Sequence, residues 1–267
     1  MQTLFTNTIR EAIRRQKAMS KLIAVWGTPQ SGKTTFTVKL ANALNLGGKG
    51  KSIHSAIAVF PDITTPVVPT VFPNKKDEEL YSLGSVLQKP DLTRNLVVSN
   101  TIFVKDRSNL GFLGYTAKEN RYSYAEYTRE KAEAFLDCVM SIAEYVVVDC
   151  SSDPEDNILT ETVLEKADIV IRLLSPDLKG ISNYLSQTPI FIRMGYMKEN
   201  CVQLISVTSS EFQYGAADTI SYFGKVEQII PYSQALKEQY VSGNLTEVTK
   251  DKKYAAVLEA VRQKVVK

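Results

Sequence analysis

Short apolar runs alternate with longer stretches of helical periodicity along most of this chain. Leu22-Ile23-Ala24-Val25-Trp26 has no polar break, which is enough for a buried strand and too short for a helix. After a polar loop, Phe36, Val38, Leu40, Ala41 and Leu44 recur at helical spacing, and Gly47-Gly48 predicts where that helix stops. Further strand-like runs span Ile53 to Val59, Asn95 to Val98, Tyr145 to Val148, Ile169 to Leu174, Val202 to Val207, and Val226 to Ile230. Helical patterns lie near 123–143, 156–166, 178–194 and 233–241. Val- and Ile-rich strands alternating with helices predict an α/β fold, a mostly parallel sheet covered on both faces. Residues 60–95, with Pro61, Pro66, Pro69, Pro73 and Pro90, form the least regular stretch. Nothing marks off a second core, so one domain is expected over 22–267, preceded by a basic amphipathic helix over 1–21.

Composition narrows the classes. A chain of 267 residues that is 44% hydrophobic and 23% charged has the apolar content for a buried core and is neither disordered nor collagen-like. No run reaches the roughly 18 apolar residues of a membrane-spanning helix, and Met1 to Lys21 lacks the apolar block of a cleavable leader. Cys138, Cys150 and Cys201 are odd in number and widely spaced, which predicts reduced thiols and a cytoplasmic location. With His54 as the single histidine, histidine metal sites and Ser-His-Asp chemistry are not expected.

The net charge of +3 is unevenly spread. Residues 1–21 and 250–267 each carry +4, which leaves the body at −5. Both ends have apolar stripes at helical spacing: Leu4, Phe5, Ile9, Ala12 and Ile13 at one, and Tyr254, Val257, Leu258, Val261 and Val265 at the other. The expectation is that both stripes pack on the body. DNA or an anionic membrane surface is the alternative partner for these basic termini.

The sharpest signal is Gly27-Thr28-Pro29-Gln30-Ser31-Gly32-Lys33-Thr34, which matches G-x-x-x-x-G-K-[ST] without a gap. Two glycines let the backbone wrap around phosphate oxygens, so that successive N–H groups and a helix N-terminus face the anion. Lys33 then reaches the terminal phosphates, the Thr34 hydroxyl ligates Mg²⁺, and Thr35 is placed for an α-phosphate oxygen. A metal-holding carboxylate is expected at the end of a neighbouring buried strand, and Tyr145-Val146-Val147-Val148-Asp149 supplies it. Asp153 lies four residues on, in the position of a γ-phosphate-sensing loop or of a helix cap before Pro154. Asn74-Lys75-Lys76-Asp77 spells the guanine-reading N-K-x-D, but it precedes Asp149 and is read as a turn.

These residues resemble a family. The phosphate loop, the strand to Asp149, Ala167-Asp168-Ile169-Val170-Ile171 with Ser175-Pro176-Asp177, and Ile229-Ile230-Pro231-Tyr232 through Gly243-Asn244-Leu245 look like the MinD/ParA clan of P-loop ATPases over about residues 22–250. The resemblance implies a sheet of seven or eight strands, ATP with Mg²⁺ as cofactors, an ATP-dependent homodimer, and a protein cargo or polar-localisation partner. It also places Thr208, Pro231 and Tyr232 near the base. Two positions depart from the family's pattern. Thr28 stands where the clan has a signature lysine that reaches the partner's phosphates. Aligning on Pro66, Phe60 replaces the first aspartate of a D-x-D pair and leaves Asp62. The clan's pilus-localising branch resembling TadZ lacks that lysine too.

The function expected is ATP-dependent positioning or partitioning of cargo with slow or conditional hydrolysis. Lys33 acts on phosphate, and Asp62 or Asp153 orients water. The alternative is a nucleotide-regulated scaffold that binds ATP and a partner with little turnover.

Overall fold

In a computed structural model of the chain, which describes residues 19–47, 53–76, 80–212 and 215–267, eight strands form one sheet in the order β3-β4-β2-β5-β1-β6-β7-β8. The strands are β1 (Lys21–Gly27), β2 (Ala56–Phe60), β3 (Ile102–Val104), β4 (Arg107–Gly114), β5 (Tyr145–Asp149), β6 (Ile169–Leu174), β7 (Cys201–Ser206) and β8 (Gln228–Ile230). All neighbours pair in parallel except β3, which runs antiparallel to β4 at one edge. The expected α/β architecture is therefore present, with eight strands.

Alternation along the central strand splits the core in two. Leu22, Ala24 and Trp26 point to one face with Val146, Val148 and Val170; Ile23 and Val25 point to the other with Val147 and Ile171. On the first face lie α5 (Arg129–Met140), α6 (Ile158–Lys166) and α7 (Leu178–Arg193), followed by the single turn α8 (Ile220–Phe223). On the second lie α1 (Lys33–Leu46) and α10 (Lys252–Val266), joined to the body through α9 (Gln234–Val241). Short helices α2 (Val68–Val71), α3 (Leu83–Leu87) and α4 (Arg94–Ser99) fill the irregular stretch.

The C-terminal stripe packs as expected: Tyr254, Leu258, Val261 and Val265 are buried against the second face. Residues 1–18 lie outside the described residues, as do Gly48 and Asp77, so the N-terminal stripe and the last residue of the N-K-x-D stretch have no structural account. One strand expectation is overturned. Asn95 to Val98 lies within α4, where the Thr93 side chain caps the first turn by accepting from Leu96 N–H and only Val97 is buried.

Several buried polar groups tie the second face together. Lys39, 1% exposed on α1, donates to Gln239 Oε1 at 2.5 Å, Leu245 O at 2.8 Å and Glu247 O at 2.6 Å. Asn42 Nδ2 donates to Thr246 O at 2.7 Å, and Arg107 donates to both Asn42 Oδ1 and Thr246 O. The turn 244–247 after α9 is thus held to the helix that follows the phosphate loop.

Candidate functional site

At the carboxyl ends of the parallel strands, a cavity of about 900 Å³ opens between the loop after β1 and the segments after β2, β5, β7 and β8. This is where an open parallel sheet places ligands, because helix N-termini and loops converge there. Gln30 and Gly32 take left-handed backbone conformations, φ 61° and 78°, which curl the loop before α1 begins at Lys33. Gly27 is required for a different reason. A Cβ there would meet Leu173 O of the adjacent strand at 2.1 Å, so the first motif glycine lets β1 and β6 close up beneath the loop.

Pro29, Gln30, Gly32, Lys33, Thr34 and Thr35 line the cavity, together with Asp62, Asp149, Asp153, Thr208, Pro231 and Tyr232. Residues expected from five distant segments are therefore brought together. Gly27, Thr28 and Ser31 are not among the lining residues. Thr28 is fully buried, and its hydroxyl accepts from Ser175 N–H at 2.9 Å, so its side chain braces the β6–α7 loop instead of facing a ligand. Ser31 is likewise buried beneath the loop, its hydroxyl unpaired. The expectation for these two residues therefore concerns their backbone N–H groups, not their side chains.

Lys33 Nζ donates to Ser152 Oγ at 2.5 Å and to the carbonyls of Gly27 and Thr28 at 3.2 and 3.3 Å. Burial pushes its pKa below the usual lysine range, against the pull of Asp149. Thr34 donates its hydroxyl hydrogen to Asp149 Oδ2 at 2.6 Å, while Asp149 Oδ1 is buried with no partner. Burial raises the Asp149 carboxyl to about 6, opposed by the Lys33 charge and the Thr34 hydrogen bond. A hydroxyl and a half-satisfied carboxylate side by side form an oxygen donor set suited to a hard cation such as Mg²⁺.

Asp62 is fixed by its own turn: Oδ1 accepts from Thr64 N–H at 2.8 Å and from the Thr64 hydroxyl at 2.5 Å. Phe60 ends β2 fully buried and stacks on Phe112 at 6.3 Å, turned away from the cavity. Asp153 precedes a 3-10 turn over Pro154–Asp156 and makes no side-chain cap bond. Ser152, Lys237 and Tyr254 line the cavity without having been expected there. Ser152 sits three residues past Asp149, and that spacing was the available signal; Tyr254 was legible only as part of an apolar stripe.

No protein-family model and no curated protein matches the sequence. Solved structures do match in three dimensions. A ParA family ATPase from Chlorobium tepidum TLS aligns with TM-score 0.70 and 14% identity over 90% of this chain and 98% of that one. A putative plasmid partition protein from Borrelia burgdorferi B31, bound to AMPPNP, aligns with TM-score 0.68 and 13% identity over 92% and 99%. The septum site-determining protein MinD from Pyrococcus horikoshii OT3, complexed with Mg-ADP, aligns with TM-score 0.65 and 14% identity over 93% and 96%. At such identities the likeness is one of architecture, and it spans nearly the whole of both chains: the fold of this chain is similar to that of ParA and MinD ATPases.

Proposed function

We propose that the chain is an ATP-binding, Mg²⁺-dependent MinD/ParA-like ATPase that positions or partitions a cargo, with slow or conditional hydrolysis. The observation that carries this reading is the Thr34–Asp149 pair, with its free carboxylate oxygen, in one cavity with the phosphate loop and Lys33. Loop N–H groups and the start of α1 hold the phosphates, and Lys33 moves from Ser152 and the loop carbonyls to phosphate oxygens. Thr34 and Asp149 hold the cation, which neutralises phosphate charge when bound. Asp62 and Asp153 orient water, and Thr208, Pro231 and Tyr232 flank the base. The nucleotides in the two ligand-bound structural relatives, AMPPNP and Mg-ADP, support this assignment of the cavity.

Slow turnover is supported by Thr28. A cation there would stand where the clan's signature lysine reaches across a dimer, and this chain places a buried hydroxyl instead. An ATP-dependent homodimer that engages a protein cargo in the cytoplasm remains the working picture. No helix among the described residues is long and apolar enough to cross a membrane. The test is binding of a fluorescent ATP analogue to wild type and Lys33→Ala, followed by single-turnover hydrolysis with and without DNA or liposomes. Lys33→Ala is expected to weaken binding at least about tenfold, since charge-assisted hydrogen bonds are worth roughly 1.5–3 kcal/mol each. Equal binding by the two proteins refutes the assignment.

A further inference from the structure

The tip of the phosphate loop is a strained turn. Ser31 N–H donates to Thr28 O at 3.2 Å, which closes a four-residue turn with Pro29 and Gln30 at its centre. A proline followed by a positive φ is the type II pattern, whose third position favours glycine or asparagine. Gln30 holds that position at φ 61°, where its Cβ crowds the neighbouring carbonyl. Among the described residues, Lys118 is the one other non-glycine residue with a positive φ, and it does not line the cavity. The turn has little room to relax, because Thr28 and Ser31 on either side are fully buried and Thr28 is bonded to Ser175 N–H. A side chain kept where glycine would be unstrained, in the wall of a ligand cavity, points to a use for that side chain.

The surroundings of Gln30 narrow that use. Between Gly27 and Gly32 it is the one polar residue that lines the cavity. It is exposed, and its side-chain amide makes no hydrogen bond among the described residues. The cavity's other carboxamide, Asn157, is committed at both ends: Nδ2 donates to Pro61 O and Oδ1 accepts from Thr160 N–H, each at 2.8 Å. Asp62, Asp149 and Asp153 accept hydrogen bonds when ionised but donate none. Gln30 therefore offers a free, uncharged donor beside the loop that cradles phosphate.

We propose that Gln30 is a catalytic residue whose side-chain amide donates to the γ-phosphoryl group of ATP as that group passes to water. The proposal rests on the nucleotide reading above and goes beyond it by giving a role to this side chain. In the step, a water oxygen bonds to the γ phosphorus, and the bond to the β–γ bridging oxygen breaks with its electron pair leaving on ADP. Both water protons stay with the phosphate product, one of them going on to solvent. Gln30 neither gains nor loses a proton; it aims hydrogen bonds at the oxygens over which the transferring charge is spread. A neutral donor stabilises that charge less than an ammonium does, in keeping with slow turnover.

The test compares the full chain with its Gln30→Gly and Gln30→Glu variants. Three ligands are titrated: Mg-ADP, a non-hydrolysable ATP analogue with Mg²⁺, and Mg-ADP with aluminium fluoride, which mimics the phosphoryl group in transfer. Melting temperature and single-turnover hydrolysis are followed on the same samples. Gln30→Gly relieves the backbone, so its melting temperature should equal or exceed that of wild type. It should bind ADP and the analogue within about twofold of wild type, because the lost contact belongs to the transition state. Its hydrolysis and its affinity for the aluminium fluoride complex should each fall about tenfold, equal to about 1.4 kcal/mol. Gln30→Glu sets a carboxylate against the γ-phosphate and should weaken the analogue about tenfold while leaving ADP binding unchanged. A glycine variant that keeps wild-type hydrolysis and aluminium fluoride binding, that melts lower, or that loses ADP and the analogue alike overturns the proposal. So does a glutamate variant that treats ADP and the analogue alike. A wild type that binds the analogue but neither hydrolyses ATP nor gains affinity from aluminium fluoride refutes the role of Gln30 alone. One that binds no nucleotide refutes the reading on which it rests.

Discussion

Replacing Lys39 by Met removes a buried ammonium that serves three acceptors, Gln239 Oε1, Leu245 O and Glu247 O. Methionine fills much the same volume but donates nothing, so buried acceptors lose their partner at about 1–3 kcal/mol each. Against this stands relief of the burial cost, which lowers the lysine pKa from 10.5 to about 8, with Glu247 opposing the shift and Arg107 adding to it. At pH 7 the net expectation is a destabilisation of about 1–3 kcal/mol. The pH dependence is the sharper test. With a folded-state pKa below the unfolded one, the unfolded chain binds more protons between pH 8 and 10.5, so this group's contribution to stability rises with pH across that window. Integration from pH 7 to pH 10 gives about 2–3 kcal/mol for the wild type and nothing for the variant at this position. Urea unfolding of both proteins at pH 7, 8, 9 and 10 measures the difference. It should widen steadily above pH 8; a constant or shrinking gap would show that the ammonium is not held in a desolvated site, and the reasoning fails.

Asp149→Asn should weaken ATP binding several-fold more in Mg²⁺ than in EDTA, because the carboxylate acts on phosphate through the cation; equal losses would make Asp149 a structural residue. Thr28→Lys should lower the melting temperature by several degrees, consistent with a cost of about 2 kcal/mol or more for forcing a charge into a fully buried position. An unchanged melting temperature together with stronger ATP-dependent dimerisation would mean that the side chain can turn outward to the signature-lysine role. Gly27→Ala should disturb folding as well as binding, since its methyl would sit 2.1 Å from Leu173 O; thermal unfolding without nucleotide separates the two effects.

The site was legible where chemistry dictates spacing. The phosphate loop and Tyr145–Asp149 could be read because an anion cradle and a strand-end carboxylate leave little freedom in residue type. The side chain of Thr28 was not legible, because its partner Ser175 N–H is 147 residues away and no local pattern records a bond made by backbone. The edge of the sheet failed for a different reason. In β4 the apolar residues Leu110, Phe112 and Leu113 are interrupted by Gly111 and followed by Gly114, which erases the alternation that marks a strand. Gly111 is needed there because a Cβ would meet Thr101 Cγ2 at 2.5 Å. Conversely, Asn95 to Val98 has strand-like residues, yet the Thr93 cap and the short length let α4 win. Short apolar runs do not by themselves distinguish the two states.

The position of β1 in the sheet also bears on the order of events during synthesis. Strand β1 leaves the ribosome well before the two strands that flank it, β5 and β6, which begin 124 and 148 positions after Lys21. Until the stretch ending at Leu174 has emerged, the strand before the phosphate loop lacks its β6 neighbour, and Gly27 has no Leu173 to close against. Pairings of such long sequence separation are slow and leave apolar strand edges exposed meanwhile. A nascent chain arrested before residue 174 should therefore fail to retain nucleotide although its whole phosphate-loop sequence is present, which makes a segment synthesised early one of the last to acquire its working shape.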